Sequence, residues 1–90
     1  MAIAIMFTHS MDASQYDEVI KRLENAGASA PPGRLYHVCF GTGTSLSIVD
    51  VWESQDAFNA FGQTLVPILQ QLGVDPGQPQ VAEVHNIIKG

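Results

Sequence analysis

A single carboxylate, Asp50, lies within the otherwise apolar segment 46–52. An ionised carboxylate surrounded by apolar side chains costs free energy unless a partner pairs with it, so Asp50 indicates a partner or a pocket. The first candidate partner is His37. A carboxylate can hold an imidazole in one tautomer, which suits a general base that removes a proton from a phenolic or enolic substrate. The competing interpretation is a buried carboxylate that is neutralised by hydrogen bonds and does no chemistry.

Whether His37 meets Asp50 depends on the register of a predicted hairpin. Counting outward from a two-residue type II′ turn at Gly43 and Thr44, with the glycine first, places His37 opposite Asp50. The same count pairs Leu35 with Trp52 and Cys39 with Ile48. A slip of one residue would place Tyr36 opposite Asp50 instead, so both registers remain open.

Four aromatic residues are candidates for the wall of a substrate pocket. Trp52 follows the strand that carries Asp50, and Tyr16 on the first helix could reach a pocket with its hydroxyl group. Phe58 and Phe61 lie on the second helix, close to Trp52 in the chain. All four also have the spacing of ordinary core residues, so a purely structural role is the alternative.

The three histidines, His9, His37 and His85, are far apart in the sequence, a spacing that does not favour a shared metal site. The chain has no Gly-rich phosphate loop, no nucleophile elbow and no paired-cysteine motif. We therefore expect neither a metal nor a cofactor.

The hydrophobic pattern predicts the order strand, helix, strand, strand, helix, strand. Strands are predicted over 2–8, 35–40, 46–52 and 81–88. The first helix is predicted between a capping box at Asp12 and Gln15 and a stop at Gly27, and the second over 54–72. Pro67 should kink or break the second helix, and residues 75–77 should form a turn.

This order predicts one α+β domain over residues 1–90, a ferredoxin-like βαββαβ fold with both helices on one face of a four-stranded antiparallel sheet. In the first and third strands, apolar residues occupy odd and even positions alike, so both faces of the sheet carry apolar side chains. A sheet with one face in water should instead alternate apolar and polar residues along each strand. We therefore expect a homodimer in which the uncovered faces of two sheets pack together.

Composition narrows the range of partners. The 90 residues include 46% hydrophobic and only 14% charged residues, with a net charge of −5 and four scattered basic residues, so nucleic acid is not an expected partner. The apolar run at 2–7 is too short to span a membrane and lacks the marks of an export signal. The lone Cys39 is consistent with a reducing cytoplasm, which is the expected location.

The segment 49–58, with 32–38 upstream and 83–86 near the end, resembles the dimeric α/β-barrel superfamily, in particular antibiotic biosynthesis monooxygenase-like domains. The resemblance implies a homodimer in which Trp52 lines a pocket where a deprotonated aromatic or quinol-type substrate reacts with dioxygen without a cofactor. Haem-degrading relatives use an asparagine on the first strand and a histidine on the second helix. This chain has Thr8 and His9 near the first position and no histidine over 54–72, so haem is not expected. The alternative is a non-catalytic ligand-binding or structural dimer module.

Overall fold

The structure is a computed structural model that describes residues 1–75 and 77–90, without the side chain of His9. Its elements are β1 (Ile3–Met11), α1 (Ala13–Asn25), β2 (Arg34–Thr42), β3 (Ser45–Trp52), α2 (Gln55–Gln71) and β4 (Gln80–Glu83). The predicted order is therefore confirmed. The turn predicted at 75–77 includes Pro76 and lies outside the described residues.

The four antiparallel strands form one sheet in the order β2-β3-β1-β4, which is the ferredoxin-like arrangement predicted from the sequence. Both helices pack on one side, here called the inner face, and the opposite side is called the outer face. The core lies between the inner face and the helices; its buried members include Ile3, Ile5, Ile48 and Trp52 from the sheet and Val19, Leu23, Phe61, Ile68 and Leu69 from the helices.

Helix α1 begins and ends where the sequence predicts. The Asp12 side chain accepts from the Gln15 backbone N–H at 2.7 Å, and the Gln15 side chain accepts from the Asp12 N–H at 3.0 Å. At the other end Gly27 adopts a positive φ of 72°, and Ala28 N–H donates to the Leu23 carbonyl as in a Schellman motif. Both ends of the helix thus carry local caps, and the Ala13 N–H donates to the Gly43 carbonyl of the β2–β3 turn at 2.8 Å.

Helix α2 begins after Ser54, whose hydroxyl accepts from the Ala57 N–H at 3.1 Å. The predicted break at Pro67 is wrong, because the helix continues through this proline to Gln71. Pro67 is exposed, and so is Gln63, the residue whose carbonyl loses its helical partner. Water can satisfy that carbonyl, so the helix survives the missing hydrogen bond.

The β2–β3 hairpin has the predicted two-residue turn, since Thr42 pairs with Ser45 across Gly43 and Thr44. The turn is not type II′, however, because Gly43 does not have the positive φ that this turn requires at its first position. The positive φ, 122°, is at Gly41 instead, where an added Cβ would lie 2.7 Å from the Ser45 carbonyl oxygen. The predicted strand register is therefore right although the turn type is wrong.

A β-bulge interrupts β2 near its start. Arg34 pairs with Trp52 and Tyr36 pairs with Val51, so two steps along β2 match one step along β3 and Leu35 is the extra residue. The predicted pairing of Leu35 with Trp52 is wrong for this reason. The bulge puts Arg34 on the inner face and leaves Leu35 exposed.

Strand β4 is shorter than predicted. It ends at Glu83, where it pairs with Ile3, and one further bond runs from the Val84 N–H to the Ala2 carbonyl. Because β1 begins at Ile3, the remaining residues toward 88 have no neighbouring strand to pair with. His85 therefore lies beyond the sheet.

Candidate active site

His37 and Asp50 are direct partners in the β2–β3 ladder, which confirms the predicted pairing. The Nδ1 atom of His37 lies 2.6 Å from Oδ1 of Asp50, and the Asp50 residue is only 5% exposed. The slipped register is excluded, since Tyr36 pairs with Val51 on the outer face. A short contact to a buried carboxylate is a charge-assisted hydrogen bond in a medium of low dielectric constant, where it is strong.

Tyr16 completes a chain of three polar side chains. Its Oη atom lies 2.7 Å from Nε2 of His37, and the planes of the two rings are nearly parallel, with an interplanar angle of 6°. An ionised carboxylate only accepts hydrogen bonds, so His37 donates from Nδ1 to Asp50, and in the neutral imidazole Nε2 accepts from the Tyr16 hydroxyl. These residues, Tyr16, His37 and Asp50, are called the proton chain below.

The environment keeps the Tyr16 phenol protonated. Burial raises its pKa above the ordinary value of 10.0, and interaction with Cys39 raises it further, while the Arg34 guanidinium acts in the opposite direction. Burial also raises the pKa of the Cys39 thiol, with a contribution from Asp17, so Cys39 is not an activated nucleophile. Tyr16 therefore retains a hydroxyl proton that it can donate to a neutral His37.

The proton chain faces a small, partly open cavity of about 60 Å³ between the helices and the inner face. Its lining is mainly apolar and includes Phe7, Met11, Tyr16, Ile20, Arg34, His37, Ile48, Asp50, Phe61 and Leu65. A buried cavity of roughly 150 Å³ is known to hold benzene, so this cavity alone is too small for a bicyclic ligand.

A larger groove of about 320 Å³, here called the outer groove, adjoins the cavity on the surface. It is lined by Ala30, Pro31, Arg34, Leu35, Tyr36 and His37. Arg34 and His37 line both spaces. A molecule in the outer groove would therefore lie next to His37, the member of the proton chain that lines both spaces.

The four predicted substrate-binding residues divide into two pairs. Tyr16 and Phe61 line the cavity, as expected, whereas Trp52 and Phe58 do not. Helix α2 packs its phenyl rings onto the indole, with ring centroids 5.6 Å away for Phe58 and 5.3 Å for Phe61, so Trp52 is fully buried. Trp52 is therefore not among the residues that line this cavity, and its contact with a substrate stays a prediction.

The buried Nε1–H group of Trp52 has no hydrogen-bond partner among the described residues. An unpaired buried donor costs about 1–3 kcal/mol. The core near Trp52 therefore contains a polar group without a hydrogen bond, which is unusual for a folded domain.

Sequence reasoning missed Arg34 as a site residue and treated it only as one of four scattered basic residues. Period-two alternation places positions 34 and 37 on opposite faces of a strand, and only the bulge at Leu35 brings them to the same face. Nothing in the local sequence identifies that bulge. Ser10 was missed as well; it lies within β1 beyond the predicted end of the strand and also lines the cavity.

In the described part of the chain, no group of three histidine, cysteine or acidic side chains is placed to hold a metal ion. His9, one of the three histidines considered for a shared metal site, has a side chain that lies outside the described part of the structure. Neither described helix is long and apolar enough to cross a membrane.

No protein-family model matches this sequence, and no curated protein matches it either. Solved structures do match it over nearly its whole length. A candidate antibiotic biosynthesis monooxygenase from Chloroflexus aurantiacus J-10-fl has a TM-score of 0.68 and 17% identity, covering 99% of this chain and 98% of that one. The chain has the fold of the antibiotic biosynthesis monooxygenase-like proteins.

Two further structures show the same fold. SnoaB from Streptomyces nogalater, a cofactor-independent oxygenase, has a TM-score of 0.61 and 16% identity over 99% of this chain and 95% of its own. A candidate antibiotic biosynthesis monooxygenase from Deinococcus radiodurans has the same TM-score and identity over 99% and 97%. At such low identities the likeness establishes the fold, whereas function depends on the residues of the site.

Proposed function

We propose that this protein is a small-molecule-binding homodimer that acts as a cofactor-independent monooxygenase on an aromatic or quinol-type substrate. The observation that carries this proposal is the proton chain, in which two contacts of 2.7 and 2.6 Å connect a cavity to a buried carboxylate. Tyr16, His37 and Asp50 are the proposed catalytic residues. Nucleic acid and membranes have no part in the proposal.

The proposed reaction needs only dioxygen as co-reactant. His37 takes a proton from a substrate methylene group that is acidified by its ring, and Asp50 stabilises the resulting imidazolium. The carbanion, delocalised as an enolate, adds dioxygen to give a peroxide anion, which regains the proton from His37. Loss of water from the hydroperoxide leaves a carbonyl group, so CH₂ and O₂ become C=O and H₂O.

Tyr16 gives this reaction a particular route. Because its hydroxyl occupies Nε2 of His37, a substrate proton reaches the imidazole through the phenol: Tyr16 accepts the substrate proton as it passes its own to Nε2. The raised pKa of Tyr16 makes a free tyrosinate unfavourable, so the two transfers occur together. Tyr16 thus acts as a relay rather than as the base.

The size of the two spaces restricts the position of the substrate. The cavity of about 60 Å³ admits only the reacting end, whereas the outer groove of about 320 Å³ is within the usual range for ligand sites, roughly 300–1,000 Å³. In this proposal the ring occupies the outer groove and the acidic group enters the cavity beside His37.

The homodimer is proposed from the outer face of the sheet. Apolar side chains there are exposed, including Met6 at 39%, Val38 at 52% and Phe40 at 49%. They lie side by side across the strands, since Val38 and Met6 both pair with Val49. Packing two such faces together would remove this apolar area from water without moving the proton chain, which faces the other side.

Oxygen uptake in the presence of anthrone tests the catalytic proposal, because anthrone carries the acidic methylene group that this reaction requires; a hydroquinone, which has no such group, tests the quinol-type substrate by the same measurement. We expect His37→Ala to lower the rate by about 10²- to 10⁴-fold, the usual contribution of a general base, and Asp50→Asn to lower it as well. His85→Ala is the matched control, because His85 is exposed and lies beyond β4. Equal rates for the wild type and His37→Ala would remove the proposed site.

The second candidate function is a non-catalytic ligand-binding or structural dimer module, in which the proton chain only satisfies a buried carboxylate. The small volume of the cavity favours this alternative. It predicts that the wild type consumes no oxygen above buffer with either substrate. It also predicts that Asp50→Asn changes stability without changing ligand binding.

A further inference from the structure

Arg34 occupies the boundary between the cavity and the outer groove. It lines both spaces together with His37, and the bulge at Leu35 is what turns its side chain toward the inner face. A ligand in the outer groove therefore lies against a guanidinium group and against His37 of the proton chain.

The guanidinium is held in place but largely unpaired. Its Nη2 donates to the Ser29 carbonyl at 2.9 Å, and its Cζ lies 5.9 Å from the centroid of the Phe61 ring. These contacts use one of the five N–H donors of an arginine side chain. Among the described residues, no carboxylate lies within 4.0 Å of it, whereas Arg22 is paired with Glu18.

The charge distribution makes this position distinctive. The chain has a net charge of −5 and four basic residues. Lys21 and Arg22 are on α1, and neither lines the cavity or the outer groove. Lys89 lines neither space, but its ammonium lies 5.9 Å from the centroid of the ring of Tyr36, which lines the outer groove. An anion that the protein repels at long range would thus meet a local positive charge beside His37.

We infer that Arg34 is a specificity-determining residue that binds the anionic oxygen of an aromatic ligand, a carboxylate or an enolate, whose ring lies in the outer groove. This inference rests on the proposed function and names the substrate class that the site prefers. A planar guanidinium with free donors can bind the two oxygens of a carboxylate in a bidentate way, or the single oxygen of an enolate. It would also stabilise the negative charge that develops on the substrate as the proton chain removes a proton.

Titration calorimetry with benzoate and benzamide tests this inference, because the two probes have nearly the same shape and differ in charge. We expect wild type to bind benzoate more tightly, and Arg34→Gln to weaken benzoate binding about tenfold or more while leaving benzamide binding unchanged. Arg34→Lys should retain part of the preference for benzoate over benzamide, since lysine keeps the positive charge but lacks the planar pair of donors of a guanidinium. Lys21→Gln removes the same charge from the exposed face of α1 and should change neither affinity.

Three results would overturn the inference: no benzoate binding by the wild type at millimolar concentration, equal affinities for the two probes, or equal losses for both probes in Arg34→Gln. The last would mean that Arg34 only supports the fold through Ser29 and Phe61. Oxygen uptake is a separate readout. A benzoate preference without uptake would contradict the monooxygenase proposal alone, and uptake without a preference would contradict the role of Arg34 alone.

Discussion

The two faces of the sheet are both apolar, but only one of them is covered. On the inner face Ile5 and Trp52 are fully buried beneath the helices, whereas on the outer face Val38 and Phe40 are each about half exposed. The inner face also contains Asp50, which the surrounding apolar side chains shield from water. One chain thus completes a core around a polar site and leaves a second apolar surface exposed to solvent.

The largest expected difference between the faces is in folding stability. Trp52→Ala should lower the free energy of unfolding by about 3–5 kcal/mol, because it opens a cavity in the core. Val38→Ala should cost less than about 1 kcal/mol in the dilute protomer, since this side chain is half exposed. Urea denaturation at low protein concentration measures both, and equal losses would contradict the contrast between covered and uncovered faces.

The second largest difference between the two faces is expected in the dimerisation of the protein. Val38→Lys places a charge on the outer face and should weaken dimerisation roughly a hundredfold, because an unpaired charge buried at an interface costs several kcal/mol. Val66→Lys is a matched control, since Val66 on α2 is 49% exposed and Val38 is 52% exposed. Sedimentation velocity should find a dimer for the wild type and the control. A monomeric wild type would disprove the proposed assembly.

The smallest effect concerns the titration of Tyr16 on the inner face. Burial raises its pKa, so the folded state holds the phenolic proton more tightly than the unfolded state does. Its stabilising contribution is complete below pH 10.0 and is lost as the pH rises through the higher pKa of the folded state. In Tyr36→Phe, where Tyr16 is the remaining tyrosine, the midpoint of the rise in tyrosinate absorbance should lie above pH 10.0. A midpoint at or below pH 10.0 would show that the phenol is not buried as described.

Much of the fold follows from the sequence because its signals are local. The capping box at Asp12 and the positive φ at Gly27 depend on a few adjacent residues, and both are present as predicted. The pairing of His37 with Asp50 was predictable as well, since the turn between their strands is only two residues long. A short connection leaves few registers to choose from.

The remaining features depend on tertiary context. The end of β4 is set by the start of its neighbour β1, and the continuity of α2 through Pro67 depends on which side of that helix meets water. The contact of Tyr16 with His37 joins residues that are 21 positions apart, through the packing of α1 on the sheet. Sequence spacing identified Tyr16 as a pocket residue but could not assign its hydrogen bond.

The bulge in β2 has a consequence for how this site can vary. Leu35 is the one extra residue between two fixed pairs, Arg34 with Trp52 and Tyr36 with Val51. Its deletion would restore a regular ladder and keep both flanking pairs in register, so the guanidinium and the imidazole would stay on the same side. Natural variants that lack this residue should therefore tolerate the loss, whereas an insertion or deletion between His37 and the turn, over positions 38–42, would shift His37 away from its carboxylate.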